Sequence, residues 1–186
     1  MGESTETELI REVLGGDPRP FETLVRRYQG PVFNLMLRQT GDFEVSADLA
    51  QEAFVRAYTR LETFRPGNRF FPWLYSLALN VVRDWMRKSG RDLHVFMEDP
   101  AVMEHGDGGE DAERAASRRM DGALAFEKVM GLAPKYREAL ILRFRHDLSM
   151  KEIGQALDIT VSGAKMRVSR GLELVRQQLE EASDAE

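Results

Sequence analysis

Lys165, Arg167, Arg170 and Arg176 sit on a stretch whose apolar residues recur at helical spacing. Cations on a helix suit duplex DNA, because they reach base edges in the major groove and neutralise phosphates. The segment before them supplies the rest of a unit. Ser149-Met150-Lys151-Glu152 has the spacing of a capping box, and Asp158-Ile159-Thr160 is a short turn. A short capped helix, a turn and a basic helix make a helix-turn-helix. Ile153, Ala156, Leu157, Ile159 and Val161 are its predicted core, with Ala164 and Val168 packing the second helix and Gly154 allowing close approach. Lys165 and Arg170 point about 140° apart on an ideal helix, so one can address a base while the other holds phosphate. An ordinary basic helical hairpin with a solvated face would show the same pattern.

A second constellation lies upstream. Phe64, Phe70, Phe71, Trp73, Tyr75 and Trp85 alternate with Arg65, Arg69, Arg83, Arg87, Lys88 and Arg91. Rings that stack on unpaired bases, set among cations that follow phosphates, suit single-stranded nucleic acid. Core packing is the competing account of Trp73, Trp85 and Phe54. Other chemistry finds little support. The chain has no cysteine, which excludes disulfides, thiolate metal sites and cysteine nucleophiles. His94, Glu98 and His105 match no compact metal-site spacing, and His146 reads as a helix-end residue. Gly106-Asp107-Gly108-Gly109 has no flanking strand and is not a nucleotide loop. No nucleophile–base pair is visible, so neither an enzyme nor a cofactor is expected.

The elements that must position these residues all read as helix. Thr5–Leu14 is followed by a helix opening at Asp17-Pro18 and reaching about Thr40, with Gly30-Pro31 expected to kink or break it. The third, about Val45–Phe64, places Ala50, Ala53, Phe54, Ala57, Tyr58, Leu61 and Phe64 on one stripe and Asp48, Glu52, Arg56 and Arg60 opposite. The fourth, about Phe71–Lys88, buries Trp73, Leu74, Leu77, Ala78, Val81 and Trp85. Four more follow: about Ala115–Met130, Pro134–Arg145, Ser149–Leu157, and a last helix to about Leu179, with frayed residues beyond Glu180.

The charge shows where these groups divide. The 186 residues carry 26 basic and 31 acidic side chains, net −5. Residues 91–118 hold three basic and eight acidic ones, and each flank is neutral. That middle segment is rich in Gly, Pro and acid and reads as a flexible linker. The expected fold is therefore all-α: two small helical domains, 1–91 and 119–186, joined by an acidic linker, 92–118. No apolar run approaches the roughly 20 residues of a membrane span. The start Met1-Gly2-Glu3-Ser4-Thr5-Glu6 lacks a secretory pattern, so a cytoplasmic protein is expected.

Taken together, Asp48-Leu49-Ala50-Gln51-Glu52-Ala53-Phe54 and Trp73-Leu74…Ala78-Leu79-Asn80-Val81-Val82-Arg83-Asp84-Trp85-Met86-Arg87 resemble bacterial RNA polymerase sigma factors of the extracytoplasmic-function type. Asp17…Phe21-Glu22-Thr23-Leu24-Val25 resembles the opening of that family, and the C-terminal helix-turn-helix resembles its promoter-reading domain. The resemblance covers nearly the whole chain apart from the linker and the termini.

The resemblance implies a factor that binds core polymerase, directs it to particular promoters and helps open them. Asp48, Gln51 and Glu52 would dock on the clamp helices of the largest polymerase subunit. Arg65, Asn68, Arg69, Phe70, Asn80, Arg83 and Arg87 would take the −10 element, with a non-template base flipped into a pocket at the 65–70 loop. Asp84 is expected to orient an arginine. Arg143, Ser162, Lys165, Met166, Arg167, Ser169 and Arg170 would contact the −35 element. Thr160-Val161-Ser162-Gly163-Ala164 stands where many members have Pro-x-Gly-Thr-Val, and Met166 replaces a usual polar contact. The linker would thread towards the RNA exit path, or serve as a plain tether. An anti-sigma protein is an implied partner. A free-standing helix-turn-helix repressor or activator, binding a two-fold symmetric duplex site on its own, is the competing reading.

Overall fold

Two capping boxes open helices near opposite ends of the chain. The hydroxyls of Thr5 and Ser149 accept from the backbone of Glu8 and Glu152, whose carboxylates accept in return from the cap backbone. Each box satisfies donors that a helix start leaves without an internal partner. The computed structural model describes residues 5–89, 122 and 124–183, and every regular element among them is helical.

The first bundle contains α1 (Glu6–Leu14), α2 (Arg19–Thr40), α3 (Phe43–Thr59) and α4 (Phe70–Ser89). A 3-10 turn, Leu61–Thr63, joins α3 to the loop before α4. The second contains α5 (124–130), α6 (Pro134–Leu140) with a π-helical turn at Ile141–Arg145, α7 (Met150–Leu157) and α8 (Val161–Ser183). The expected linker lies outside the described residues, as does the first half of the expected helix from Ala115, whose second half is α5.

Several sequence expectations change. Pro31 does not break α2, which runs as one helix through it. Proline removes one backbone donor, and the full burial of Val32, Leu35 and Met36 holds the helix across that gap. Gly41, at φ +66°, then ends α2 in the left-handed region, and the Asp42 side chain caps α3. The third helix stops at Thr59 instead of Phe64, and Tyr58 is exposed off the apolar stripe. The last helix continues to Ser183, past the expected end near Leu179.

The sequence left the relative placement of the bundles open. They pack together along α4 and α7, with α2 and α6 closing the seam. At its centre is Glu138, whose side chain is 5 % exposed. It accepts from Arg38 Nε and Nη2 at 3.2 and 2.9 Å and from Gln39 Nε2 at 3.1 Å. The buried hydroxyl of Tyr75 also donates to it. Burial, the largest single influence, would raise the Glu138 carboxyl, but Arg38, Tyr75 and Arg137 together outweigh it and hold the group below the ordinary range.

Candidate nucleic-acid interface

The loop between the 3-10 turn and α4 frames a cavity of about 250 Å³. Thr63, Phe64, Arg65, Asn68, Arg69, Trp73 and Ser76 line it, together with Gln155 of α7. Arg65, Asn68 and Arg69 are exposed, as a nucleic-acid contact requires. Phe64 and Trp73 stand edge to face at 5.5 Å and supply aromatic wall. A space of this size, with a ring on one side and donors on the rim, fits a single unstacked base.

One aromatic leaves the expected binding set. Phe70 has no exposure and packs against Phe64 and Trp73, so it supports the cavity from inside the core. Tyr75 is also fully buried, with its hydroxyl on Glu138 across the seam. Trp73 and Trp85 are half-buried instead of fully enclosed. Thr63 and Ser76 are lining residues that the reading by charge missed. Trp73 meets both accounts offered for it, half-buried in the core stripe and lining the cavity.

Asn80, Arg83 and Arg87 project together from the exposed side of α4. Arg83 Nη1 donates to Asn80 Oδ1 at 3.3 Å. Asp84 receives Arg56 at 2.9 Å and Arg87 at 2.8 Å. These arginines, Arg56 first, draw its carboxyl below the usual range. Asp84 therefore orients arginine, as expected, and fixes Arg87 beside Arg83. On α3, Asp48, Gln51 and Glu52 form an exposed strip continued by Val55, and Glu52 pairs with Arg56 at 2.7 Å.

In the second bundle α7 and α8 form the expected helix-turn-helix. Ile153, Ala156, Leu157, Ala164 and Val168 are buried. Val161 is not in this core; it is 44 % exposed at the start of α8, and Ile159 is only partly buried. A β-carbon on Gly154 would lie 2.9 Å from the Ile159 carbonyl oxygen, so the turn closes directly onto the glycine. Thr160 Oγ1 accepts from the Gly163 N–H at 3.0 Å and caps α8. Ser162, Lys165, Met166, Ser169 and Arg170 are exposed, and Arg167 is partly so. Arg170 is held by Glu173 at 2.8 Å. Arg143 donates to the Leu148 carbonyl at 3.1 Å, which ties it to the turn ahead of α7.

The seam sets the 65–70 loop against the start of α7. Arg69 Nη1 lies 3.6 Å from Glu152 and 3.4 Å from the Asp147 carbonyl. His146 packs its ring 4.7 Å from that of Phe71, and burial, with Arg38 and Arg145 nearby, lowers its pKa to about 4. Arg38, Gln39, Tyr75, Glu138 and Gln155 are absent from the sequence-derived site because their partners lie on the other bundle. Among the described residues no His, Asp and Glu group is placed to hold a metal, and no helix is long and apolar enough to cross a membrane. His94, Glu98 and His105 lie outside the described residues.

Comparisons with known proteins match both bundles. Residues 24–92 match the family described as Sigma-70 region 2, and residues 127–175 match Sigma-70, region 4. The ECF RNA polymerase sigma factor SigW of Bacillus subtilis is 32% identical over 179 residues, covering 91% of this chain and 94% of the relative. The fold is similar to that of CnrH solved in complex with the cytosolic domain of CnrY, at TM-score 0.62 and 24% identity, covering 95% and 97% of the two chains. It is also similar to that of the sigma factor RpoE in complex with the anti-sigma factor NepR from Bartonella quintana, at TM-score 0.61 and 22% identity, covering 86% and 96%.

Proposed function

We propose, from the premise that this chain belongs to the extracytoplasmic-function sigma factors of RNA polymerase, that its two bundles divide promoter recognition between them. As a member of that family, the protein binds core polymerase and directs it to promoter DNA. In our reading residues 1–91 dock on the polymerase and take the −10 element, and residues 119–186 read the −35 element. Residues 92–118 connect them. The recess framed by Phe64, Trp73 and the exposed Arg65, Asn68 and Arg69 carries this reading, because its aromatic wall and its rim of donors all belong to the first bundle and stay together when Gln155 leaves with α7. Asn80, Arg83 and Arg87 extend the same face along the strand.

Docking belongs to the strip Asp48, Gln51 and Glu52 against the clamp helices of the largest subunit. Val55 continues that strip with an apolar side chain that water solvates poorly. On α8, Ser162, Lys165, Met166, Arg167, Ser169 and Arg170 face the major groove, and Arg143 serves phosphate. The protein works in initiation without catalysis of its own, beside the polymerase in the cytoplasm. An anti-sigma protein covers these faces when the factor is idle.

The packed arrangement must open for this function. Promoter elements centred near −10 and −35 are roughly 85 Å apart along B-form DNA at about 3.4 Å per base pair. In the packed state Arg69 and Glu152 are 3.6 Å apart. Both elements are engaged at once only when the seam of Glu138 has parted. Matches to two different sigma regions in one chain favour this reading over a free-standing repressor.

Run-off transcription of sheared genomic DNA by bacterial core polymerase, with and without the protein, tests the reading. Discrete transcripts that depend on the protein are expected. Their absence, with active polymerase and folded protein, would overturn it. Tight binding of duplex DNA by the protein alone would point to the free-standing regulator.

A further inference from the structure

We propose that Glu6 is a positioning residue for the −10 site: its carboxylate caps the start of α4 and so sets the loop that captures a base. The inference rests on the assignment of the 63–73 cavity to that base. Glu6 is the first residue of α1, and its side chain is 24% exposed. Oε2 accepts from the backbone N–H of Phe70 at 3.2 Å, 64 positions along the chain. Oε1 accepts from the Tyr28 hydroxyl and lies 3.7 Å from Arg27 Nη1. One carboxylate thus ties α1, α2 and α4 together.

The local sequence explains why this acceptor comes from afar. Phe70 opens α4, where an N–H has no partner within the helix. Arg69, just before it, carries only donors and cannot cap. A carboxylate fills the role twice over, as a charge-assisted acceptor and as an anion at the positive end of the helix dipole.

The consequence reaches the cavity through rings. Tyr28, fixed by Glu6, stacks on Phe71 at 5.2 Å and tilts against Phe70 at 5.8 Å. Phe70 in turn braces Phe64 and Trp73, the aromatic walls. Burial, and then Glu6 itself, push the Tyr28 hydroxyl above its usual pKa, so it stays a donor. Glu6 does not meet DNA. Its charge is taken up by Tyr28, Arg27 and the start of α4.

The test uses holoenzyme on a promoter recovered from the run-off experiment, with each −10 base replaced in turn. The readout is base preference, the ratio of open-complex formation on the native and replaced sequences. Glu6→Ala is expected to lower that preference about tenfold, the effect of losing one charge-assisted hydrogen bond, with polymerase affinity retained. Glu6→Gln, which still offers an oxygen to Phe70 and an amide to Tyr28, should retain most of it. Leu9→Ala loosens α1 without touching the cap and should leave the preference at its native value. A native preference in Glu6→Ala, while Asn68→Ala loses it, would overturn the proposal and keep the site. No change in either would remove the site and the proposal together. Equal losses in Leu9→Ala and Glu6→Ala would reduce Glu6 to a general structural role and overturn the proposal.

Discussion

Arg38 and Glu138 lie 100 positions apart and meet in two hydrogen bonds, Nε to Oε1 at 3.2 Å and Nη2 to Oε2 at 2.9 Å. This fork joins the first bundle to the helix-turn-helix bundle. Its setting is dry: the two side chains are 11% and 5% exposed. Arg137, on the same face, is 1% exposed, and its Nε and Nη2 have no hydrogen-bond partner. The seam thus holds two guanidiniums around one carboxylate. Such a pair costs desolvation and fixes geometry, and it is unforgiving of the loss of either partner.

Replacing Glu138 by Ala leaves two buried cations without their counter-ion. The expected loss is about 3–5 kcal/mol at the seam, read by denaturant unfolding of the full chain. Replacing Arg38 and Glu138 together by Met should restore part of it, because Arg137 alone is then left without its counter-ion. A Glu138→Ala protein that unfolds like the parent would show that the seam carries no such energy.

His146 gives the seam a pH dependence of known sign. Its pKa falls from 6.5 in the unfolded chain to about 4 in the fold, through burial first and then Arg38 and Arg145. Between those values the unfolded chain binds a proton that the folded chain refuses. Stability from this group is therefore full above pH 6.5 and is lost as pH falls towards 4. Melting temperature followed from pH 7.5 to 4.5 should show that slope, and His146→Phe should flatten it. An identical slope in the variant would remove His146 as its source.

Gly154→Ala places a β-carbon 2.9 Å from the Ile159 carbonyl, a backbone atom with little room to retreat. We expect a loss of about 1–3 kcal/mol from the helix-turn-helix, in the range of overpacked sites. Thermal unfolding measures it. A melting curve equal to that of the parent would mean that the turn can shift at no cost.

The two recognition surfaces should separate by mutation. Lys165→Ala with Arg170→Ala is expected to weaken initiation that depends on the −35 element and to leave polymerase affinity intact. Losing phosphate contacts should also reduce the salt dependence by about one unit of slope per contact. Asp48→Arg with Glu52→Arg should do the reverse and weaken polymerase binding. Loss of polymerase binding in the first pair, or unchanged affinity in the second, would contradict the division of labour.

Much of this molecule was legible one helix at a time. Ser149 and Glu152 announced α7, and the apolar spacing at Ile153, Ala156 and Leu157 gave its buried face. Those signals are local, because caps and helical stripes depend on residues three or four apart. Phe70 shows where the local signal misleads. Its position among arginines suggested contact with DNA, yet it is fully enclosed. Trp73, open to both a stacking and a core account, is half-buried in the cavity wall.

Sequence alone therefore determined the helices, their caps, the helix-turn-helix and the exposed charges Asp48, Glu52, Lys165 and Arg170. Each of those follows from short-range spacing and from the preference of charge for water. Only the tertiary structure decided that Glu138 faces Arg38, that Glu6 caps α4, and that Gln155 closes one side of the cavity. Those contacts join residues distant in the chain. Their energy depends on which surfaces are removed from water together, and no local spacing records that.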